Sequence, residues 1–149
     1  MNKAVVFSFL ILGISTAWSQ ADSVCNPSFE AGLTDWQNFA NNGAVATFDT
    51  SSVAATEGAV GVVIDIQDVS AGTCVLSACI SDMYANQTYR MSFWAKSDNA
   101  VELLATISKA SPGYNNYASA NVVLSSDWAQ YEICCLLYTS PSPRDYPGS

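Results

Sequence analysis

The chain has 149 residues, with 13 acidic and 5 basic side chains for a net charge of −8, 50% hydrophobic residues and no histidine. That length holds one domain with short appendages, and the lack of histidine excludes Ser-His-Asp and Cys-His catalysis, imidazole acid/base chemistry and His-ligated zinc. Five cations spread along an acidic chain cannot form the positive footprint that nucleic acid or an anionic lipid surface requires, so a neutral or cationic partner is expected.

In chain order, Lys3 precedes an apolar run over residues 4–14 that is too short to span a bilayer. Small residues and Ser19-Gln20-Ala21-Asp22 follow it. This order of charge, apolar run and small residues predicts a secretory leader over 1–21, cleaved before Asp22 or before Gln20. The mature chain is then exported and keeps no membrane attachment.

The body, 22–134, holds 12 acidic and 3 basic side chains, a net charge of −9. Its cysteines are Cys25, Cys74, Cys79 and Cys134. In an oxidising compartment they allow up to two disulfides, with three pairings open. No Cys-x-x-Cys spacing favours a thiolate metal site.

Period-two or β-rich runs predict seven strands, at Ala44–Thr50, Val60–Gln67, Thr73–Ile80, Tyr89–Lys96, Val101–Ser108, Ser119–Leu124 and Trp128–Cys134. In the second run Val60, Val62, Ile64 and Ile66 share a face; in the fourth, Tyr89, Met91, Phe93 and Ala95 face the core while Arg90, Ser92, Trp94 and Lys96 look the other way. Asn41-Asn42-Gly43, Glu57-Gly58, Ala71-Gly72, Asp98-Asn99 and Ser111-Pro112-Gly113 punctuate the runs as turns. With no helical stripe outside the leader, the class is all-β, an antiparallel two-sheet sandwich of jelly-roll type. Beyond the last run the alternation stops. Residues 135–149 contain three of the five prolines, and Cys135 to Asp145 resembles the in-frame translation of a sequencing adapter, so this segment is expected to be a non-native tail. The domain is then incomplete at its C-terminus, and 22–134 alone should be poorly stable because a sheet edge and core side chains are left uncovered.

Three landmarks stand in fixed order: Asn26-Pro-Ser-Phe-Glu-Ala-Gly-Leu-Thr-Asp-Trp36, Tyr89-Arg-Met-Ser-Phe-Trp-Ala-Lys-Ser97, and Leu124-Ser-Ser-Asp-Trp-Ala-Gln-Tyr131. Together they resemble carbohydrate-binding modules of families 4, 9 and 22, which share a galactose-binding-like jelly roll. The resemblance implies a poly- or oligosaccharide ligand and a place in a larger secreted glycan-degrading protein with a downstream catalytic or anchoring domain. It also implies a structural Ca²⁺ near Glu30, Glu57 and Gly58, and it makes Phe29, Phe93, Trp36 and Trp128 core or rim anchors.

Saccharides offer flat C–H patches and many hydroxyls, so proteins hold them with exposed aromatic rings and with amide or carboxylate groups. On that chemistry Trp94 is the first candidate for stacking and Arg90 for a polar contact, with packing of Trp94 against a loop as the competing role. Tyr114, Asn115, Asn116 and Tyr117 form a second candidate, two phenols around two amides, although such loops also occur without a ligand. Asn86-Gln87-Thr88 is a glycosylation acceptor only on a eukaryotic secretory route and is otherwise a turn. A saccharide-binding module with no catalysis is the leading expectation. An adhesion module of the same fold and an enzyme in its own right, a carboxylate-based glycosidase or a lyase using Tyr, are the alternatives, and no matched acid pair is singled out by spacing for the glycosidase.

Overall fold

Side chains that alternate between apolar and polar can cover one face of an extended chain and leave the other to water, and this period of two organises the molecule. The computed structural model describes residues 3–8, 24–56, 58–78, 88–108 and 116–136. The strands are β1 (Lys3–Ser8), β2 (Trp36–Asn41), β3 (Val45–Ser51), β4 (Gly61–Asp68), β5 (Thr73–Ala78), β6 (Thr88–Ser97), β7 (Val101–Ser108), β8 (Asn116–Leu124) and β9 (Ala129–Leu136). Apart from one 3-10 turn at Ser52–Ala54, there is no helix among the described residues, so none there is long and apolar enough to cross a membrane.

Five strands form one sheet in the order β3-β4-β1-β6-β9, and β2-β5 and β7-β8 form two-stranded ribbons. Every pairing is antiparallel. Core residues come from all three pieces: Val62, Ile64, Phe93, Ala95 and Ile133 from the large sheet, Trp36 from the first ribbon, and Ala105, Ile107 and Leu124 from the second. The ribbons therefore pack their inner sides toward the large sheet, which makes an all-β sandwich. Full burial of side chains such as Phe29, Phe93, Leu124 and Val62 stabilises it by roughly 1.5–3 kcal/mol each.

All seven strands expected from the sequence are present. The inward face assigned to Tyr89–Lys96 holds, with Met91, Phe93 and Ala95 joining the core beside Tyr89; on the other side Arg90 is exposed and Trp94 half-buried, but Ser92 is buried, so that side is covered at its middle. Three differences carry physical reasons. Strand β2 reads Trp-Gln-Asn-Phe-Ala-Asn, and its polar residues mask any apolar alternation; it is held by pairing along its whole length with β5. Strand β9 runs to Leu136, two residues into the expected tail, because the inward series Tyr131, Ile133 continues to Cys135, which is buried opposite Tyr89. Finally, six residues of the expected leader, Lys3–Ser8, form the central strand of the large sheet, since their apolar, β-branched sequence suits a strand as well as an export signal.

Candidate functional site

The N-terminal landmark is a chain of tight turns tied by one side chain. Asn26 adopts a left-handed conformation (φ 48°), which asparagine tolerates. Its Nδ2 donates to the carbonyls of Gly32 and Thr34, both at 2.9 Å, and its Oδ1 accepts from the Ala31 N–H at 3.2 Å. The Asn26 carbonyl in turn accepts from the Trp36 indole N–H at 2.9 Å. This fixes Trp36 against Phe29, ring centroids 4.6 Å apart, and both rings are buried. Both residues are thus anchors of the fold.

Glu30, next to Phe29, reaches across to the turn after η1. Its Oε1 accepts from the Ala59 N–H at 2.7 Å, and it lies so close to Gly58 that a Cβ added there would meet it. Gly58 is left-handed (φ 74°), so this approach requires glycine on two counts. The structure brings Glu30 and Gly58 together; Glu57 lies outside the described residues. A calcium ion takes six to eight oxygens, and among the described residues no cluster of three metal-ligating side chains occurs. What these residues form is a carboxylate tie between two loops, and the described donors do not by themselves fit the ion.

The sequence-predicted binding residues divide between two outer faces. On the large sheet, Trp94 stands opposite Gln130, and its Nε1 is buried without a hydrogen-bond partner among the described residues. Arg90 Nε pairs with Glu132 Oε1 at 3.2 Å, and the Cys134 thiol donates to the same oxygen at 3.4 Å. Lys96 Nζ lies 5.3 Å from the centroid of the half-buried Trp128 ring. The polar groups on this face are therefore turned largely toward one another. Asn116 and Tyr117 open β8, on the opposite layer, and both are exposed; Tyr114 and Asn115 lie outside the described residues.

The β7-β8 face has a different character. Its inward residues, Leu103, Ala105, Ile107, Ala118, Ala120, Val122 and Leu124, belong to or pack on the core. Outward stand Glu102 opposite Val123, Leu104 opposite Asn121, and Thr106 opposite Ser119, with Tyr117 at the end of the row. Leu104 is 60% exposed, Val123 65% and Tyr117 42%. Apolar surface and hydrogen-bonding groups thus alternate on one open ribbon. The outer side of the other ribbon carries a further exposed ring, Phe39, opposite Val75. Sequence reasoning missed Leu104, Asn121, Val123 and Phe39; an exposed large apolar residue at an outward strand position was the available signal.

The expectation of up to two disulfides narrows. Cys74 and Cys134 are free thiols, so two disulfides do not form among the four; Cys25 is half-buried and Cys79 lies outside the described residues. Cys74 lies on β5 and Cys134 on β9, in different sheets.

A family model described as a carbohydrate binding domain matches residues 21–136. Neither a curated protein nor a solved structure matches the chain.

Proposed function

The chain belongs to the carbohydrate binding domain family over residues 21–136, and from that premise we propose that it is a non-catalytic module that holds a neutral saccharide on the outer face of β7-β8. The observation that carries this reading is the row of exposed Leu104, Val123 and Tyr117 set among Glu102, Asn121 and Ser119. An exposed phenol ring and aliphatic surface suit the C–H side of a sugar, and the amide, hydroxyl and carboxylate groups suit its hydroxyls. Asn116, exposed beside Tyr117 at the start of β8, and the sequence-predicted Tyr114 and Asn115 belong to the same proposal. Export by the N-terminal leader, whose cleavage takes β1 out of the large sheet, and a place beside a glycan-degrading domain complete the proposal; such a module acts by raising the local concentration of substrate around its partner. The structural Ca²⁺ implied at Glu30, Glu57 and Gly58 joins the proposal only with oxygens beyond the described ones, because those form a tie that falls short of the six to eight the ion takes.

A second reading places the saccharide on the large sheet at Trp94 and Arg90. It is favoured by the buried, unpartnered Trp94 Nε1, since such a donor calls for an acceptor. Affinity electrophoresis in gels containing neutral polysaccharides separates the two. Tyr117→Ala and Leu104→Ser should lose most retardation, with Trp94→Ala unchanged; the reverse result moves the site to the large sheet. Retardation unchanged in all three variants removes both. Turnover of any polysaccharide by the chain would overturn the non-catalytic assignment.

A further inference from the structure

Tyr131 stands on β9 of the large sheet and reaches the opposite layer. Its ring packs on the core beside Phe93, centroids 5.6 Å apart. Its hydroxyl donates to the Val123 carbonyl at 3.2 Å and accepts from the Ser125 N–H at 3.3 Å. These two residues flank Leu124, the buried last residue of β8. Ser125 is held twice more: its carbonyl accepts from the Ser97 N–H at 2.8 Å, and its Oγ donates to the Asp127 carbonyl at 2.7 Å. The end of β8 that carries the exposed Val123 is thereby tied to the ends of β6 and β9. The opposite end of the outward row is built differently. Its pairing slips, with Ile107 opposite Ala118 and Ser108 opposite Asn116, so Tyr117 is the extra residue of a bulge, where the ladder is locally disrupted.

We infer that Tyr131 is a positioning residue for saccharide binding: acting through Val123, its hydroxyl fixes the far end of the outward row and so sets the length of saccharide that the ribbon grips. The inference rests on the reading that the saccharide lies on β7-β8. An aliphatic side chain holds the C–H side of a sugar by close contact alone, and a gap of about 0.5–1 Å forfeits a quarter to a half of that attraction. The backbone that carries Val123 must therefore be held still. Pairing with Glu102 on β7 restrains it within the ribbon, and the Tyr131 hydroxyl restrains it from the other layer, on a ring whose packing against Phe93 leaves it little freedom. Val123 and Tyr117 are six residues of extended strand apart, about 20 Å. A disaccharide stacked on the Tyr117 ring falls short of Val123, whereas a hexasaccharide reaches it.

Tyr131→Phe removes the hydroxyl and keeps the ring. Gels containing hydroxyethylcellulose, galactomannan or laminarin identify the polysaccharide that retards the parent chain, and isothermal titration then compares its disaccharide and hexasaccharide. The hexasaccharide should bind Tyr131→Phe about threefold to tenfold more weakly than the parent, as expected for the loss of one hydrogen bond, with the disaccharide unchanged. Asn26→Ala, which loosens the N-terminal landmark instead, should bind both saccharides as the parent does, so the length-dependent loss does not follow stability. Methyl NMR of the unliganded protein gives a readout that needs no saccharide: the Val123 methyls of Tyr131→Phe should show lower order parameters, and the Leu104 methyls should keep theirs. Parent-like hexasaccharide binding, or equal weakening of both saccharides, would overturn the inference and leave the saccharide site standing. Unchanged Val123 methyls would overturn it as well. A parent chain retarded by none of the three polysaccharides counts against the saccharide reading itself, and the inference goes with it.

Discussion

Asn26 does the work of a short element by itself, through two donated bonds and one accepted bond in a left-handed conformation. Its replacement by alanine frees three backbone partners, and urea denaturation should show a loss of about 1–3 kcal/mol. Glu30 offers a sharper comparison. Glu30→Gln keeps an oxygen for the Ala59 N–H, whereas Glu30→Ala removes it, so a pure tie predicts near-neutrality for the first and about 0.5–1.5 kcal/mol for the second. If calcium is held there, CaCl2 should raise the thermal midpoint of the parent and not of Glu30→Gln. The thiols give a pH-dependent check. Burial pushes the Cys74 and Cys135 thiols up, leaving less thiolate near neutrality, while Cys134 is exposed. Timed alkylation at pH 7.5 with peptide mapping should therefore mark Cys134 first, with Cys135 and Cys74 catching up as pH rises.

Among the elements, the ease of reading a strand followed how clearly water and core divided its side chains. The alternation in β6 announces both the strand and the outward position of Trp94, and β4 places Val62, Ile64 and Ile66 inward in the same way. Strand β2 carries no such pattern because its cohesion comes from β5 across the ribbon, including Asn41 Oδ1, which accepts from Thr73 Oγ1 at 2.7 Å. The turn beside that pair is tight: a Cβ on Gly72 would collide with the Asn41 carbonyl and the Ala44 backbone. Gly72→Ala should thus cost about 1–3 kcal/mol by forcing backbone movement, read as a lower urea midpoint at unchanged slope. The candidate binding row on β7-β8 was only partly legible. Tyr117 and Asn116 were recognisable as ring and amide, but Leu104 and Val123 look like core residues until their exposure is known.

For the molecule as a whole, charge and chemistry point the same way. A chain of net charge −8 repels itself, so its thermal midpoint should rise as NaCl is increased from 10 to 200 mM. Binding of a neutral saccharide should hardly change over the same range, because no ion pair forms with the ligand; isothermal titration checks this, and a steep salt dependence would point to a charged ligand instead.

Period-two patterning, turn residues and the three landmarks were sufficient to determine the all-β class, the core role of Phe29, Trp36 and Phe93, and the family, because burial of one strand face is written directly into residue order. Which outer face is open, which polar groups neutralise each other, and which strand sits between β4 and β6 were decided only by tertiary structure. Those properties depend on pairings between segments distant in the chain, such as Arg90 with Glu132 and Val5 with both Ile64 and Ser97, and no local pattern encodes such partners.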